Sequence, residues 1–270
     1  MSEDAPLIVE RNGKVLEITM NRPPVNAINS DLSDRMYEAF CTLRDDPALT
    51  LGLVTGTGER CFSAGWDLKE VTARADEVEN VAQLGVTPGG FAGYTEMWDL
   101  NKPVIAAVNG ATIGGGFEVA LAADIILAAD HVEFWLPEME RGLLADAGAI
   151  QRLPRRVPYN VAMELLYTGR RLSAQEAKHW GLVHEVLPLA DLMPRARELA
   201  QQIAEGAPLA LQALKEVVPA IVDMPLKEAF ACLKPGQCEL PLYNKMMASE
   251  DFLEGPRAFA EKRKPVWKGR

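Results

Sequence analysis

"GATIGGGFEVALAADI", residues 110–125, sets a carboxylate, Glu118, just after the glycines Gly114, Gly115 and Gly116, at the head of an apolar helical pattern. Glycines between a strand and a helix let the backbone approach a ligand closely, with N–H groups at the positive helix end. The same pattern also serves as a tight packing turn, and Glu118 there also complements the helix dipole. A second segment, "CFSAGWDL", residues 61–68, follows another buried run through a short loop and ends in small residues before Trp66. Two such loops can aim two backbone N–H groups at one oxygen. That is an oxyanion hole, in which each donor contributes about 3 kcal/mol in the transition state.

Such a hole needs a base. The histidines His131, His179 and His184 sit in contexts that suit surface or packing, and no G-x-S-x-G elbow points to a serine hydrolase. The carboxylates remain. Glu138 and Glu140 follow Pro137, and the residues alone do not choose between them. Asp146 opens "DAGAIQRL", where an N-cap is expected. Carboxylates facing an oxyanion hole suit proton transfer next to a carbonyl or thioester. "VTGTGERC" imitates the start of a dinucleotide fingerprint, but Cys61 stands where the third glycine belongs and no smooth helix follows. No metal-ligand spacing occurs, so no metal is expected.

These loops need a scaffold. "LIVER" and "KVLEITM" read as a hairpin around Asn12-Gly13, and "SDLSDRMYEAFCTLRDD" as a capped amphipathic helix. "TLGLVTG", "KPVIAAVNG" and "DIILAAD" are short apolar runs that suit buried parallel strands, with a helix beginning at "FEVALAA". This rhythm predicts an α/β core with ligands at the carboxyl ends of the strands. "VTARADEVENVAQLGVTPGGFAG", residues 71–93, reads as a loop or short helix near a site. Helical patterns dominate the second half, with "LVHEVLP" as a further strand. The shift divides the chain into a core, residues 1–195, and a helical region, residues 196–270.

The 270 residues, 48% hydrophobic, suffice for one large core. A formal charge of −10 argues against a general nucleic-acid binder. No run of about 18 apolar residues predicts a membrane span. The acidic opening "MSEDAPLIVERNG" lacks a basic apolar leader, and Cys41, Cys61, Cys232 and Cys238 show no C-x-x-C spacing. Reduced thiols in a cytoplasmic protein are therefore expected.

In order along the chain, "NRPPVNAIN", "LVTGTGERCFSAGWDLKE", "KPVIAAVNGATIGGGFEVALAADI", "LPEMERGLLADAGAIQRLPRRV", "TGRRLSAQEAKHWGLVHEV" and "APLALQALKE" resemble the crotonase (enoyl-CoA hydratase/isomerase) superfamily. "FSAGWDLK", "PGGFAG" and the ending "EGPRAFAEKRKPVWKGR" resemble its carnitinyl-CoA dehydratase branch. The resemblance implies an α/β spiral of repeated β-β-α turns, with a C-terminal helical region forming a homotrimer or a dimer of trimers. It implies oxyanion donors at Trp66 and Gly115 and catalytic glutamates at Glu118 and Glu138, rather than Glu140. It implies substrate contacts at Ala27 and Ala64 and coenzyme A phosphate contacts at Lys69 and Lys262. Asp146 stands where simple hydratases carry glycine and dienoyl-CoA isomerases carry aspartate. The implied partner is an acyl-CoA thioester, with coenzyme A as part of the substrate and no separate cofactor. The implied activity is a hydro-lyase; a double-bond isomerase and a non-catalytic acyl-CoA or RNA-associated binding protein are the alternatives.

Overall fold

The computed structural model describes residues 5–77, 79 and 83–270. The chain opens with the hairpin of β1 (Leu7–Asn12) and β2 (Val15–Met20), turning at Gly13 and Lys14. The first helix, α1 (Ser30–Asp45), is capped by Asn29, whose side chain accepts from Leu32 N. It buries Leu32, Met36, Phe40 and Leu43, one face at helical spacing.

From there the chain advances by a repeated step. β3 (Leu51–Gly56) is followed by β4 (Cys61–Ser63) and α2 (Leu68–Arg74). After a short hairpin, β5 (Val86–Thr87) and β6 (Gly90–Phe91), the step recurs as β7 (Val104–Val108), β8 (Ala111–Ile113) and α3 (Gly115–Ala122). It recurs again as β9 (Ile125–Ala129), β10 (Glu133–Trp135) and α4 (Ala149–Arg156). After α5 (Tyr159–Thr168) come β11 (Leu172–Ser173), α6 (Ala174–His179) and β12 (Glu185–Leu187).

Each step gives one strand to each of two sheets. The first sheet has the order β1-β2-β3-β7-β9-β12, parallel apart from the β1–β2 pair. The second has the order β11-β10-β8-β4, in which β4, β8 and β10 are parallel. β3 and β7 are buried along their whole length, which is why they read as unbroken apolar runs. Phe62, Phe117 and Phe134, from β4, α3 and β10, are fully buried in the main core. The α/β core expected from the strand–helix rhythm, and the spiral that the family resemblance implies, are therefore the fold. The short strands of the second sheet carry no alternation long enough to stand out in the sequence.

α7 (Leu189–Ala204) lies across the first sheet and presents Leu192, Ala196, Ala200 and Ala204, one buried residue per turn. Small residues let it sit close. Arg197 reaches down to Glu17 on β2, with Nη2 2.8 Å from Oε2 and Nε 3.0 Å from Oε1. Beyond it come α8 (Pro208–Ile221), α9 (Leu226–Cys232), α10 (Pro241–Met247) and α11 (Glu250–Ala260), with a small separate cluster of Val217, Cys232 and Leu240. The tail folds back on α11, where the buried Asp251 accepts from the N–H groups of Lys268 and Gly269 at 2.8 Å each.

One expectation is corrected. Cys232 and Cys238 form a disulfide, with Cα atoms 4.9 Å apart; Cys41 and Cys61 are free thiols. The end of α9 reverses direction within six residues, so a spacing that carries no motif becomes a contact.

Burial pushes the Glu17 carboxyl up, but hydrogen bonds from Arg197 and Asn12 outweigh it and hold the group below the ordinary carboxylate range. Its contribution is present above the unfolded value and disappears as pH falls through the folded one. Arg197→Met leaves a buried carboxylate without its cation. A loss of about 1–3 kcal/mol is expected at pH 7, and less near pH 3, measured by urea unfolding at both pH values.

Candidate active site

The site lies where two of these steps meet. β8 ends at Ile113, and Gly114, at φ 52°, turns the chain into α3. Its N–H donates to Trp135 O at 2.9 Å, which ties the turn to β10. The loop after β4 comes up beside it. A Cβ on Gly65 would lie 2.6 Å from Gly115 N, and one on Gly115 would lie 3.3 Å from Trp66 N and 2.7 Å from Phe91 Cε1. The two loops touch backbone to backbone, with no room for a side chain between them. Neither the Trp66 N–H nor the Gly115 N–H donates to any acceptor among the described residues. The first is held outward by the hydrogen bonds of its neighbours, Gly65 O from Ile28 N (2.7 Å) and Asp67 N to Ile28 O (2.9 Å). The second is at the start of α3, where no intrahelical acceptor exists.

Two carboxyls face these amides across a cavity of about 240 Å³. Glu118 is 4% exposed, and its Oε1 accepts from Ala149 N at 3.0 Å. Burial pushes its carboxyl up to about 8, with Glu138 and Asp146 pushing the same way against the Ala149 N–H and Arg152. Glu138 sits on a 3₁₀ turn, Pro137–Arg141, between β10 and α4. Its Oε2 is buried without a partner among the described residues. Burial raises its carboxyl too, while the Arg141 guanidinium lowers it and Asp146 raises it. The remaining wall is largely apolar, from Leu84, Val86, Phe91, Leu143 and Leu144. Two unpaired N–H donors, one acid held neutral and one carboxyl with a free oxygen can polarise a carbonyl and move protons beside it.

Other residues singled out in the sequence fall around this cavity. Ala64 lines it. Ala27 does not, but its segment runs alongside through the Ile28 bonds, and its carbonyl accepts from Arg22. Lys69 is exposed on α2, whose N-cap Asp67 pairs with Arg22 at 2.9 Å. Lys262 is exposed after α11 and is not brought to the cavity. Glu140 is exposed and does not line it. Asp146 lines it but caps nothing. α4 starts at Ala149, with Gly148 at the N-cap position and no side-chain cap bond, which corrects the expected role.

The segment over residues 71–93 supplies part of the wall through Leu84, Val86 and Phe91; residues 78 and 80–82 lie outside the described residues. The Trp66 indole fixes that wall, donating from Nε1 to Leu84 O at 2.9 Å. The sequence offered "PGGFAG" as the one signal for Phe91. The reading of residues 71–93 as a segment near a site covered Leu84 without singling it out, and nothing in the sequence pointed to Arg141 or the Ala149 N–H.

Residues 10–270 match the family model described as enoyl-CoA hydratase/isomerase, and the chain belongs to that family. Among curated proteins it is 52% identical, over all of both chains, to one named carnitinyl-CoA dehydratase from Salmonella typhi. Among solved structures it resembles an enoyl-CoA hydratase of Mycobacterium tuberculosis H37Rv, with 38% identity, a TM-score of 0.86 and coverage of 98% of this chain and 99% of that one. An enoyl-CoA hydratase of Bacillus anthracis gives 33% identity and a TM-score of 0.86, covering 98% of this chain and all of the other.

The buried Glu118 has a consequence for stability. Between the ordinary carboxylate range and about pH 8, folded Glu118 keeps a proton that the unfolded chain has released, so stability falls as pH rises. Glu118→Gln carries no such loss. Its Tm relative to wild type is expected to be higher at pH 8 than at pH 5, measured by differential scanning calorimetry.

Proposed function

We propose that this protein is a hydro-lyase that adds water to enoyl-CoA thioesters, or removes it from 3-hydroxyacyl-CoA thioesters. The observation that carries this reading is the convergence of two unpaired backbone N–H groups and two raised carboxyls on one apolar-walled cavity. The thioester oxygen accepts from the Trp66 and Gly115 N–H groups. In dehydration Glu138 takes the α-proton, and the C–H electron pair moves into an enolate that the two donors stabilise. As the enolate collapses to the enone, the β C–O bond breaks. Glu118, held protonated by its burial, gives its proton to the departing hydroxyl. Hydration is the reverse.

Coenzyme A enters as part of the substrate, and the chemistry needs no separate cofactor. Main-chain groups at Ala27 and Ala64 are assigned to the coenzyme A arm, and Lys69 and Lys262 to its phosphates. For the acyl group the proposal is a betaine-type chain, as in the name of the Salmonella typhi relative. Glu138 and Asp146 around the cavity, with Trp66 and Phe91 in its wall, supply the negative potential and ring faces that suit a quaternary ammonium. A second reading is a double-bond isomerase, favoured by Asp146 lining the same cavity as Glu138.

Loss of the enone absorbance of crotonyl-CoA supports hydration. Silence there, with turnover of a 3-enoyl or dienoyl ester, supports isomerisation, and acyl-CoA binding with no turnover supports a binding protein. Glu118→Gln and Glu138→Gln are each expected to lower hydration turnover by about 10²–10⁴-fold. Near-wild-type rates in either would sink the assignment. A panel of short, branched and betaine-type esters ranked by kcat/KM tests the acyl group.

The proposal includes a homotrimer or a dimer of trimers built through the helical C-terminal region. α8 exposes Leu214 and Val218 one turn apart, with Val222 a turn further on, and α9 exposes Leu226 and Phe230. Sedimentation equilibrium is expected to give three or six times the 29.6 kDa chain mass. A cytoplasmic location belongs to the same proposal. No helix among the described residues is long and apolar enough to cross a membrane, and the Cys232–Cys238 pair is the observation that pulls against the location.

A further inference from the structure

Arg152 lies in α4, one turn beyond Gly148, and its side chain folds back over the start of its own helix. Gly148, at φ 141°, has no Cβ, and one built there would collide with the Arg152 Nη1. The guanidinium is therefore pressed against the turn that leads into Ala149, the residue whose N–H holds Glu118 Oε1 at 3.0 Å. On its other side, Nη2 donates to the carbonyl of the fully buried Thr95. Thr95 in turn bonds to Phe91 O, from its N–H at 3.4 Å and its Oγ1 at 2.9 Å. Phe91 is the ring that abuts Gly115. One half-buried cation thus joins the turn beneath Glu118 to the loop beneath the Gly115 amide.

The charges around Glu118 make this placement matter. Glu138 faces it from the 3₁₀ turn and Asp146 from the loop before α4, both negative; Arg152 is the cation that faces it, from α4. Arg152 itself is faced by Glu118 from α3 and by Tyr94 and Glu96 from the segment before β7, with Arg156 one turn further along α4. It makes no direct ion pair with Glu118 among the described residues, so it acts on that carboxyl through the turn and through its field.

We propose that Arg152 is a positioning residue for Glu118: its guanidinium braces the Gly148–Ala149 turn whose N–H holds that carboxyl, and its charge offsets the carboxylates that crowd it. The proposal rests on the reading of Glu118 as the proton donor in dehydration. Removing the charge makes Glu118 harder to ionise, so the donor stays protonated to higher pH. Replacing the planar group by an ammonium keeps the charge and loses the brace.

The test compares Arg152→Gln, Arg152→Lys and wild type in the dehydration direction, as pH profiles of kcat/KM, alongside carbon-13 NMR titration of the Glu118 carboxyl, assigned with Glu118→Gln. The expected result for Arg152→Gln is an alkaline limb and a carboxyl titration moved to higher pH by about one unit. Arg152→Lys is expected to leave both in place while lowering kcat about tenfold, as misplacement of a catalytic group does. A limb and titration in Arg152→Gln that coincide with wild type overturn the role of the charge. An unchanged kcat in Arg152→Lys overturns the brace. If Arg152→Gln does not fold, Arg152→Lys decides; failure of both to fold makes Arg152 a residue of the fold and overturns the proposal. Wild-type protein inactive on every 3-hydroxyacyl-CoA would sink the hydro-lyase reading instead, and the titration alone would then decide Arg152.

Discussion

The contact on which the site depends is the approach of two backbones, the Gly65–Trp66 loop and the start of α3. It needs a chain without side chains at the point of contact, because a Cβ on Gly65 would meet Gly115 N and one on Gly115 would meet Phe91. It also needs two parallel strands side by side in the second sheet, since β4 and β8 deliver the two loops. The spiral repeats the same step, so strands from successive turns end at the same edge and their loops share one cavity. A fold of this kind places the two amides together through main-chain bonds of their neighbours, Gly65 and Asp67 to Ile28 and Gly114 to Trp135.

Burial then does two things at once. Low polarity around the amides strengthens any hydrogen bond they make to a developing charge. The same lack of solvent raises the Glu118 and Glu138 carboxyls. The environment that suits an oxyanion therefore also keeps a proton on a neighbouring acid. The cost is borne by the folded state, which leaves Glu138 Oε2 without a partner among the described residues and Glu118 among other carboxylates. Rules of polar burial that hold elsewhere in this core, as where Arg197 pairs with Glu17, are relaxed here.

What the sequence made legible was local. β3, β7 and β9 were readable because both faces are buried, and α1 because one face is. The glycine run and Glu118 lie within five residues, so their joint meaning was available as a motif. Glu138 and Glu140 could not be separated by chemistry. Their difference is which way a 3₁₀ turn points each side chain, and only the family resemblance separated them. The short strands β4, β8, β10 and β11, two or three residues each, have no periodicity to read. Leu84, Phe91 and Arg152 reach the site through contacts between residues far apart in the chain, Trp66 with Leu84, Gly115 with Phe91 and Arg152 with Thr95. Asp146 looked like a cap because it precedes a helix, but the helix begins three residues later, at Ala149.

Trp66 joins the two halves of the specificity problem. Its main chain belongs to the amide pair, and its indole holds Leu84, a residue of the cavity wall, by a single hydrogen bond. A smaller residue at this position would keep the N–H and release the wall, so in the proposed reading one residue bears on both the volume offered to the acyl group and the geometry offered to its carbonyl. That coupling limits how the cavity can change. Widening it by truncating Trp66 also disturbs the segment that carries Val86 and Phe91, and Phe91 touches Gly115. Leu143 and Leu144 also line the cavity, are exposed and belong to neither amide-bearing loop; in the proposed reading they are the positions where acyl preference can shift without moving the donors.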